Sequence, residues 1–321
     1  LSRSGKAISA TASPSPWPGG RPLQPRELAM DRILLGLILA GAFALPSPAQ
    51  ELTGTLKKIK DAGSVTLGYR ESSIPFSYLN AAKQPIGYSI DLCLEIVDEV
   101  KDALGIEDLD VKYVAATPEN RIDMVASGKV DLECGSTTNN LERQKRVAFS
   151  PVIFVSGTKL MVRRPVVVRS YLDLKGKTVA VTAGTTNEQA IKVLSGKRNL
   201  GIRFAVAKDH AQAFALVEKG KADAFATDDV LLYGLIAKSG RSREFQVIGD
   251  FLSYDPYGIM YRRDDPDFAA VVNDTFERLA TSRELEQTYN KWFRLKLPSG
   301  ERLNLPMSQQ LREIFGILGL P

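Results

Sequence analysis

Between residues 65 and 293, apolar and polar positions alternate between a period of two and a spacing of three or four, which outlines an α/β chain. Val65-Thr66-Leu67-Gly68-Tyr69 alternates as a strand and ends in the polar turn Arg70-Glu71-Ser72-Ser73. Residues 74–78 and 86–88 flank a hairpin or loop centred on 80–84. Ser89 is placed to cap a helix whose apolar positions Cys93, Ile96, Val97, Val100 and Leu104 form one buried face. Residues 111–114 read as a second strand. Thr117 then reads as an N-cap with Pro118 at the first helical position, where a missing N–H costs nothing. Arg121 falls in that helix's first turn, where a cation opposes the helix dipole by about 0.3–1 kcal/mol unless an anion sits in front of it.

One segment occurs in two versions. Met124-Val125-Ala126-Ser127-Gly128-Lys129-Val130-Asp131 leads into Leu132-Glu133-Cys134, and Leu216-Val217-Glu218-Lys219-Gly220-Lys221-Ala222-Asp223 leads into Ala224-Phe225-Ala226. Both read as a helix end, a glycine stop, a lysine and an aspartate at a strand start. The echo suggests two lobes of similar build. Between its copies lie an extended run, 149–162, long enough to cross between lobes, a buried strand, 178–182, and a turn, 183–188, leading into a helix over 189–194. A strand at 202–206 and a helix at 211–218 complete this unit. Beyond the second copy, 230–237 reads as helix, 246–249 as extended, 257–262 as the return crossing, and 267–280 and 284–293 as amphipathic helices closing on the first lobe. A Pro-containing tail from 296 ends in a helix near 308–318.

Composition bounds the function. The 321 residues are 44% hydrophobic and 25% charged, ordinary for a globular chain with a sizeable core. Residues 1–29 read as an upstream extension. From Met30, Arg32, the apolar run 33–45 and Pro46-Ser47-Pro48-Ala49 read as an export signal cleaved after Ala49. That run is shorter than the roughly 20 residues of a membrane span. Without 1–49 the formal charge falls by three, from +5 to +2, and no basic run with interleaved aromatics points to nucleic acid. Two cysteines, Cys93 and Cys134, allow either one disulfide or two buried thiols.

The stretch Gly135-Ser136-Thr137-Thr138-Asn139-Asn140-Leu141-Glu142-Arg143 offers hydroxyls, backbone amides and a guanidinium at a strand-to-helix turn, a combination suited to a carboxylate. Ala183-Gly184-Thr185-Thr186 makes a second such seat. Ordinary turns and caps use the same residue types, so the weight rests on the stretches occurring together. No catalytic constellation accompanies them. His210 is the lone histidine, and Gly-x-Ser-x-Gly, a phosphate loop and Cys-x-x-Cys are all missing, so neither a cofactor nor a metal is expected.

In order, "YRESSIPFSY", "GYSIDLC", "ECGSTTNNLERQKRVAFS", "VTAGTTNEQ", "AKDH", "ATDDVLL" and "YGIMYRRDDPDF" resemble the periplasmic glutamate/aspartate-binding proteins of ABC transporters, within the polar amino-acid family of extracellular solute-binding proteins. The resemblance spans about Leu52 to Phe293. It implies a bilobed α/β fold of periplasmic-binding-protein type II, with two crossing strands as hinge, closing over one amino acid. The lobes are expected at 50–156 with 256–321, and at 157–255. It further implies a monomer in the periplasm that docks on a membrane permease. Arg143, with Ser136, Thr138 and the Thr185-Thr186 turn, would take the ligand's α-carboxylate, and Asp228 its ammonium. Arg70, Arg121 and His210 would take a side-chain carboxylate. Pro118 stands where relatives often carry a small hydroxyl residue, with water or Thr117 as substitute, and Ile259 stands where some place a cysteine.

Physical chemistry supports the same assignment. An acidic amino acid brings two carboxylates and one ammonium, matching three arginines and one aspartate, whereas a neutral ligand leaves buried arginines unpaired. A carboxylate beside His210 is expected to raise its pKa, so that binding weakens as pH rises through neutrality. Of the adjacent pair Asp228 and Asp229, strand alternation aims only one at the cleft. Two other classes remain: a soluble sensor accessory to a receptor, and a dehydratase on the same fold with Glu71 or Glu133 as proton donor.

Overall fold

A computed structural model of the protein describes residues 52–165 and 168–321. The export signal and its cleavage site lie outside the described residues.

Two five-stranded sheets share one plan. In the first, strands Asp110–Ala115, Ser64–Tyr69 and Leu132–Glu133 run parallel, followed by Met260–Arg262 antiparallel to its neighbours and then Val147–Phe149. In the second, Arg203–Ala207, Thr178–Thr182 and Ala224–Asp228 run parallel, followed by antiparallel Thr158–Arg163 and then Phe245–Ile248. In each sheet the fourth strand is the one that arrives from the other lobe. The lobes are joined by the antiparallel pair Phe154–Ser156 and Asp255–Tyr257, in register Asp255 with Ser156 and Tyr257 with Phe154.

The sequence echo is a structural one. Asp131 donates its N–H to Thr66 O and accepts the Thr66 N–H on its carboxylate, both at 2.8 Å. Asp223 does the same with Thr178, again at 2.8 Å for both bonds. Each follows a glycine in the left-handed region, Gly128 at φ 71° and Gly220 at φ 67°, which ends the preceding helix without the Cβ penalty. Parallel strands set in this way direct their carboxyl ends, and the turns that follow, into the crevice where open α/β sheets take ligands.

Several local expectations change. The long helix is Tyr88–Leu104, and Ser89 is inside it, donating to Gly135 O at 2.7 Å instead of capping. The next helix is Arg121–Ala126, because Thr117 and Asn120 satisfy each other: Thr117 N–H donates to Asn120 Oδ1 and Asn120 N–H to Thr117 Oγ1. Arg121 still occupies the first turn. The extended run at 149–162 divides into Val147–Phe149, Phe154–Ser156 and Thr158–Arg163, with Pro151 and Gly157 in its breaks. The helix after the second seat is Thr186–Lys197, longer at both ends than expected, because Thr185 caps it by accepting the Glu188 N–H.

Aromatic rings hold the hinge to the first lobe. Phe76 lies 5.1 Å, centroid to centroid, from both Phe154 and Tyr257, one on each crossing strand, and 5.5 Å from Phe293. The tail helix Gln309–Ile317 buries Leu311 and Phe315, and Gln310 Nε2 donates to Tyr254 Oη at 2.9 Å. Cys93 and Cys134 form a disulfide that ties the helix Tyr88–Leu104 to the residue before Gly135.

Candidate functional site

Three arginines reach the crevice from three different strand ends or turns. Arg70 follows the strand Ser64–Tyr69, Arg121 opens its helix, and Arg143 lies in the short helix Leu141–Gln144. All are buried, with Arg70 only 1% exposed. The Arg121 Nη1 donates to Thr137 Oγ1 and to Ser136 O, the latter at 3.3 Å. Arg143 Nη1 donates to Thr138 O at 2.8 Å. Loss of hydration, followed by the charge of Arg121, pushes both Arg70 and Arg143 down to about 9. Desolvation also lowers Arg121.

The unpartnered buried polar atoms gather here. Among the described residues they include Arg70 Nη1, Ser73 Oγ, Arg121 Nε, Glu133 Oε1 and Ser136 Oγ. Glu133 Oε1 is an acceptor, whereas the Arg70, Arg121, Ser73 and Ser136 atoms can donate; Tyr78 Oη and Glu301 Oε2 are unpartnered as well. Buried polar groups are ordinarily hydrogen-bonded, so the unused guanidinium donors mark where an anionic group fits.

The second lobe supplies the opposite charge. Asp228, at the end of the strand Ala224–Asp228, accepts from Asn187 Nδ2 at 2.9 Å and from the Tyr257 hydroxyl. Burial, reinforced by Asp255, holds its carboxyl well above the usual range. Asp229 is turned away and accepts from Ser156 Oγ at 2.8 Å, as strand alternation anticipates. His210, 2% exposed, opens the helix His210–Glu218 with Nδ1 2.9 Å from Thr182 Oγ1. Within the protein itself, desolvation, then Arg70 and Arg121, keep the ring's pKa well below 6.5, and a ligand carboxylate beside it would act in the opposite direction.

The hydroxyls divide. Thr138 and Thr186 Oγ1 both donate to Asp255 Oδ1, at 3.0 and 2.8 Å. Ser136 is buried in the crevice wall. Thr185 spends its hydroxyl on the Thr182 carbonyl and the Glu188 amide, capping the helix that follows the turn. Thr117 Oγ1 accepts from the Asn120 N–H at 3.3 Å, which leaves its hydroxyl hydrogen to donate. Sequence reasoning missed Thr137, Asn187, Asp255 and Tyr257.

The lobes meet at close quarters. Ala211 N–H donates to Ser72 Oγ at 3.3 Å, and Thr138 and Thr186 touch across the crevice. A Cβ on Gly184 would come within 3.0 Å of Pro118 and Glu119, and one on Gly234 within 2.3 Å of Ile74 O.

Two lobes of one plan, a paired-strand hinge and a crevice charged from both sides define a bilobed solute-binding protein. The sequence pattern of the bacterial extracellular solute-binding proteins, family 3, matches residues 65–295. Over 284 residues the chain is 44% identical to the L-glutamate/L-aspartate-binding protein of Pseudomonas aeruginosa, covering 88% of this chain and 94% of that one. It is 39% identical, with the same coverage, to the glutamate/aspartate import solute-binding protein of Escherichia coli. Among solved structures, an ancestral arginine-binding protein bound to arginine superposes with a TM-score of 0.65 at 26% identity, covering 72% of this chain and 98% of that one. An ancestral amino acid-binding protein described as a precursor of cyclohexadienyl dehydratase gives 0.65 at 28%, covering 75% and 100%. This chain belongs to the bacterial extracellular solute-binding proteins, family 3.

Proposed function

We propose that the chain captures acidic L-amino acids, glutamate or aspartate, and delivers them to the membrane permease of an ABC transporter, working as a monomer in the periplasm. One observation carries the reading: three buried arginines from the first lobe, with unused donors, face buried Asp228 from the second. Arg143, Ser136, Thr138 and the Thr185-Thr186 turn hold the α-carboxylate, Asp228 the ammonium, and Arg70, Arg121 and His210 the side-chain carboxylate. Charge-assisted hydrogen bonds contribute roughly 1.5–3 kcal/mol each. Micromolar affinity needs about 8.2 kcal/mol net, so these contacts suffice after ordering costs. Relatives named for glutamate and aspartate import support the same ligand class and a transport role.

The lobes are 50–156 with 256–321, and 157–255, turning about the paired strands. Because the main-chain charges of the ligand need both lobes, its binding draws the open form toward the closed one. Calorimetric titration of protein stripped of ligand by unfolding and refolding, with L-glutamate, L-aspartate, L-glutamine, L-histidine and L-arginine, tests this. One-to-one binding of the acidic pair alone is expected; preference for arginine or a neutral amino acid would overturn the side-chain pocket.

A further inference from the structure

Glu133 is a charged group of the crevice that neither the capture of the ligand nor the hinge uses. It is fully buried, at 0% exposure, in the short strand Leu132–Glu133, paired in parallel register with Gly68 two residues before Arg70. Its Oε2 accepts from Thr137 Oγ1 at 2.7 Å, and its Oε1 has no hydrogen-bond partner. No arginine forms an ion pair with it among the described residues, yet its charge is felt by Arg70, Arg121 and Arg143 alike. A buried carboxylate with a spare oxygen is costly unless positive charge surrounds it. Here three guanidiniums do so without closing on it.

Two consequences follow from this placement. The first is geometric. An ionised carboxylate only accepts, so the Thr137 hydroxyl must donate to Glu133 and is left to accept from Arg121 Nη1–H. The chain Arg121 to Thr137 to Glu133 therefore fixes one edge of the Arg121 guanidinium and leaves Nε free. Gly135 keeps the carboxylate in place: a Cβ there would come within 2.2 Å of Glu133 Oε1 and 2.9 Å of Arg70 Cγ.

The second is electrostatic. Glu133 acts on Arg70, Arg121 and Arg143 alike, whereas Asp228 acts on Arg121 and Arg143, Asp255 on Arg143, and Asp209 and Glu71 on Arg70. Without Glu133 the same crevice holds one more positive charge, in surroundings where a charge a few ångströms away acts far more strongly than in water.

We infer that Glu133 is a specificity-determining residue that acts through Arg121 and through the net charge of the crevice: it restrains the preference for a side-chain carboxylate over the isosteric side-chain amide. The inference rests on the acidic amino-acid reading given above. The two ligands differ in one unit of charge and hardly in shape, so their affinity ratio reports the charge of the pocket while general damage to the fold cancels from it.

The test is calorimetric titration of wild-type, Glu133→Gln and Thr137→Val proteins with L-glutamate and L-glutamine at fixed ionic strength. Glutamine at 133 can still accept from Thr137, so Glu133→Gln removes the charge and keeps the relay. The expected result is a rise of about tenfold in the ratio of Kd for glutamine to Kd for glutamate. Thr137→Val keeps the charge and breaks the relay, and is expected to weaken both ligands while raising the ratio far less. An unchanged ratio in Glu133→Gln, whether or not both affinities fall, would reduce Glu133 to a structural group and overturn the inference. If Glu133→Gln does not fold, Glu133→Asp, which retains the charge but shortens the relay, is expected to keep the wild-type ratio, and a shifted ratio there overturns it equally. Failure of the wild-type protein to bind glutamate would count against the acidic-ligand reading itself.

Discussion

The Thr138 and Thr186 hydroxyl oxygens, one from each lobe, stand 3.2 Å apart and converge on Asp255 Oδ1. A hinge-strand carboxylate thus collects hydroxyls from both walls, and groups assigned to a ligand share a partner in the protein. Replacing Asp255 with alanine frees both hydroxyls but removes an anchor of the closed form. We expect Asp255→Ala to weaken amino-acid affinity and to reduce the compaction that ligand causes, read by small-angle scattering; undiminished compaction would show that the bridge is incidental.

Truncating Arg143 removes a buried, hydrogen-bonded charge. Losses of this kind cost about 2–5 kcal/mol, so Arg143→Ala is expected to lower affinity by at least thirtyfold by the same scale. Thermal stability without ligand should change little, or even rise, because the guanidinium is desolvated and beside Arg121. Calorimetric titration and thermal melts together separate the two effects.

Asp228 gives the binding a pH dependence of definite sign. Burial and Asp255 raise its folded pKa, so the protein holds this proton to a higher pH than a free carboxyl does, whereas a ligand ammonium needs the carboxylate. Binding therefore expels a proton, and affinity is expected to increase from about pH 4 upward until Asp228 is ionised. Asp228→Asn should bind weakly and lose the part of that increase which exceeds titration of the ligand itself. Affinity for wild type that is independent of pH throughout this range contradicts the assignment.

His210 acts on stability instead. Its folded pKa is depressed below 6.5, so the stability it contributes is present above the unfolded value and is lost as pH falls. Melting temperatures of wild type and His210→Gln are expected to converge as the solution is acidified from neutrality.

The disulfide closes a loop with a sequence separation of 41, which by loop-closure entropy stabilises the fold by about 4 kcal/mol. Cys93→Ala with Cys134→Ala should lower the unfolding free energy by an amount of that order in urea melts. Because Cys134 precedes Gly135, some loss of affinity should accompany it.

Much of this site was legible because its residues follow strands. Arg70, Asp228 and the run 135–143 each lie where a period-two pattern ends in polar residues, and parallel strands end at a common crevice. The Gly128 and Gly220 stops announced two similar lobes for the same local reason. Helix starts were less legible, since Thr117 and Ser89 could each cap: Thr117 pairs locally with Asn120, three residues on, and tertiary packing gives Ser89 to Gly135 O. The pKa of His210 depends on Arg70 and Arg121, which come from distant turns. Asp255 and Tyr257 carried a signal that went unread: they alternate around Pro256 and are both buried, as a strand with one inward face requires.

Gly184 and Gly234 give the two lobes places of contact with no side chain to yield. At Gly234 backbone already lies where a Cβ would go, and at Gly184 it lies at the limit. Attraction draws the lobes together, but shape decides where they halt. The crevice therefore has a mechanical stop, and the stop acts as a gauge: a solute is judged by whether it fills the gap left when the halves have come to rest. Tuning that gap requires no change to any charged residue, only a methyl group at Gly234, since Gly184 at φ 74° would strain any side chain by itself.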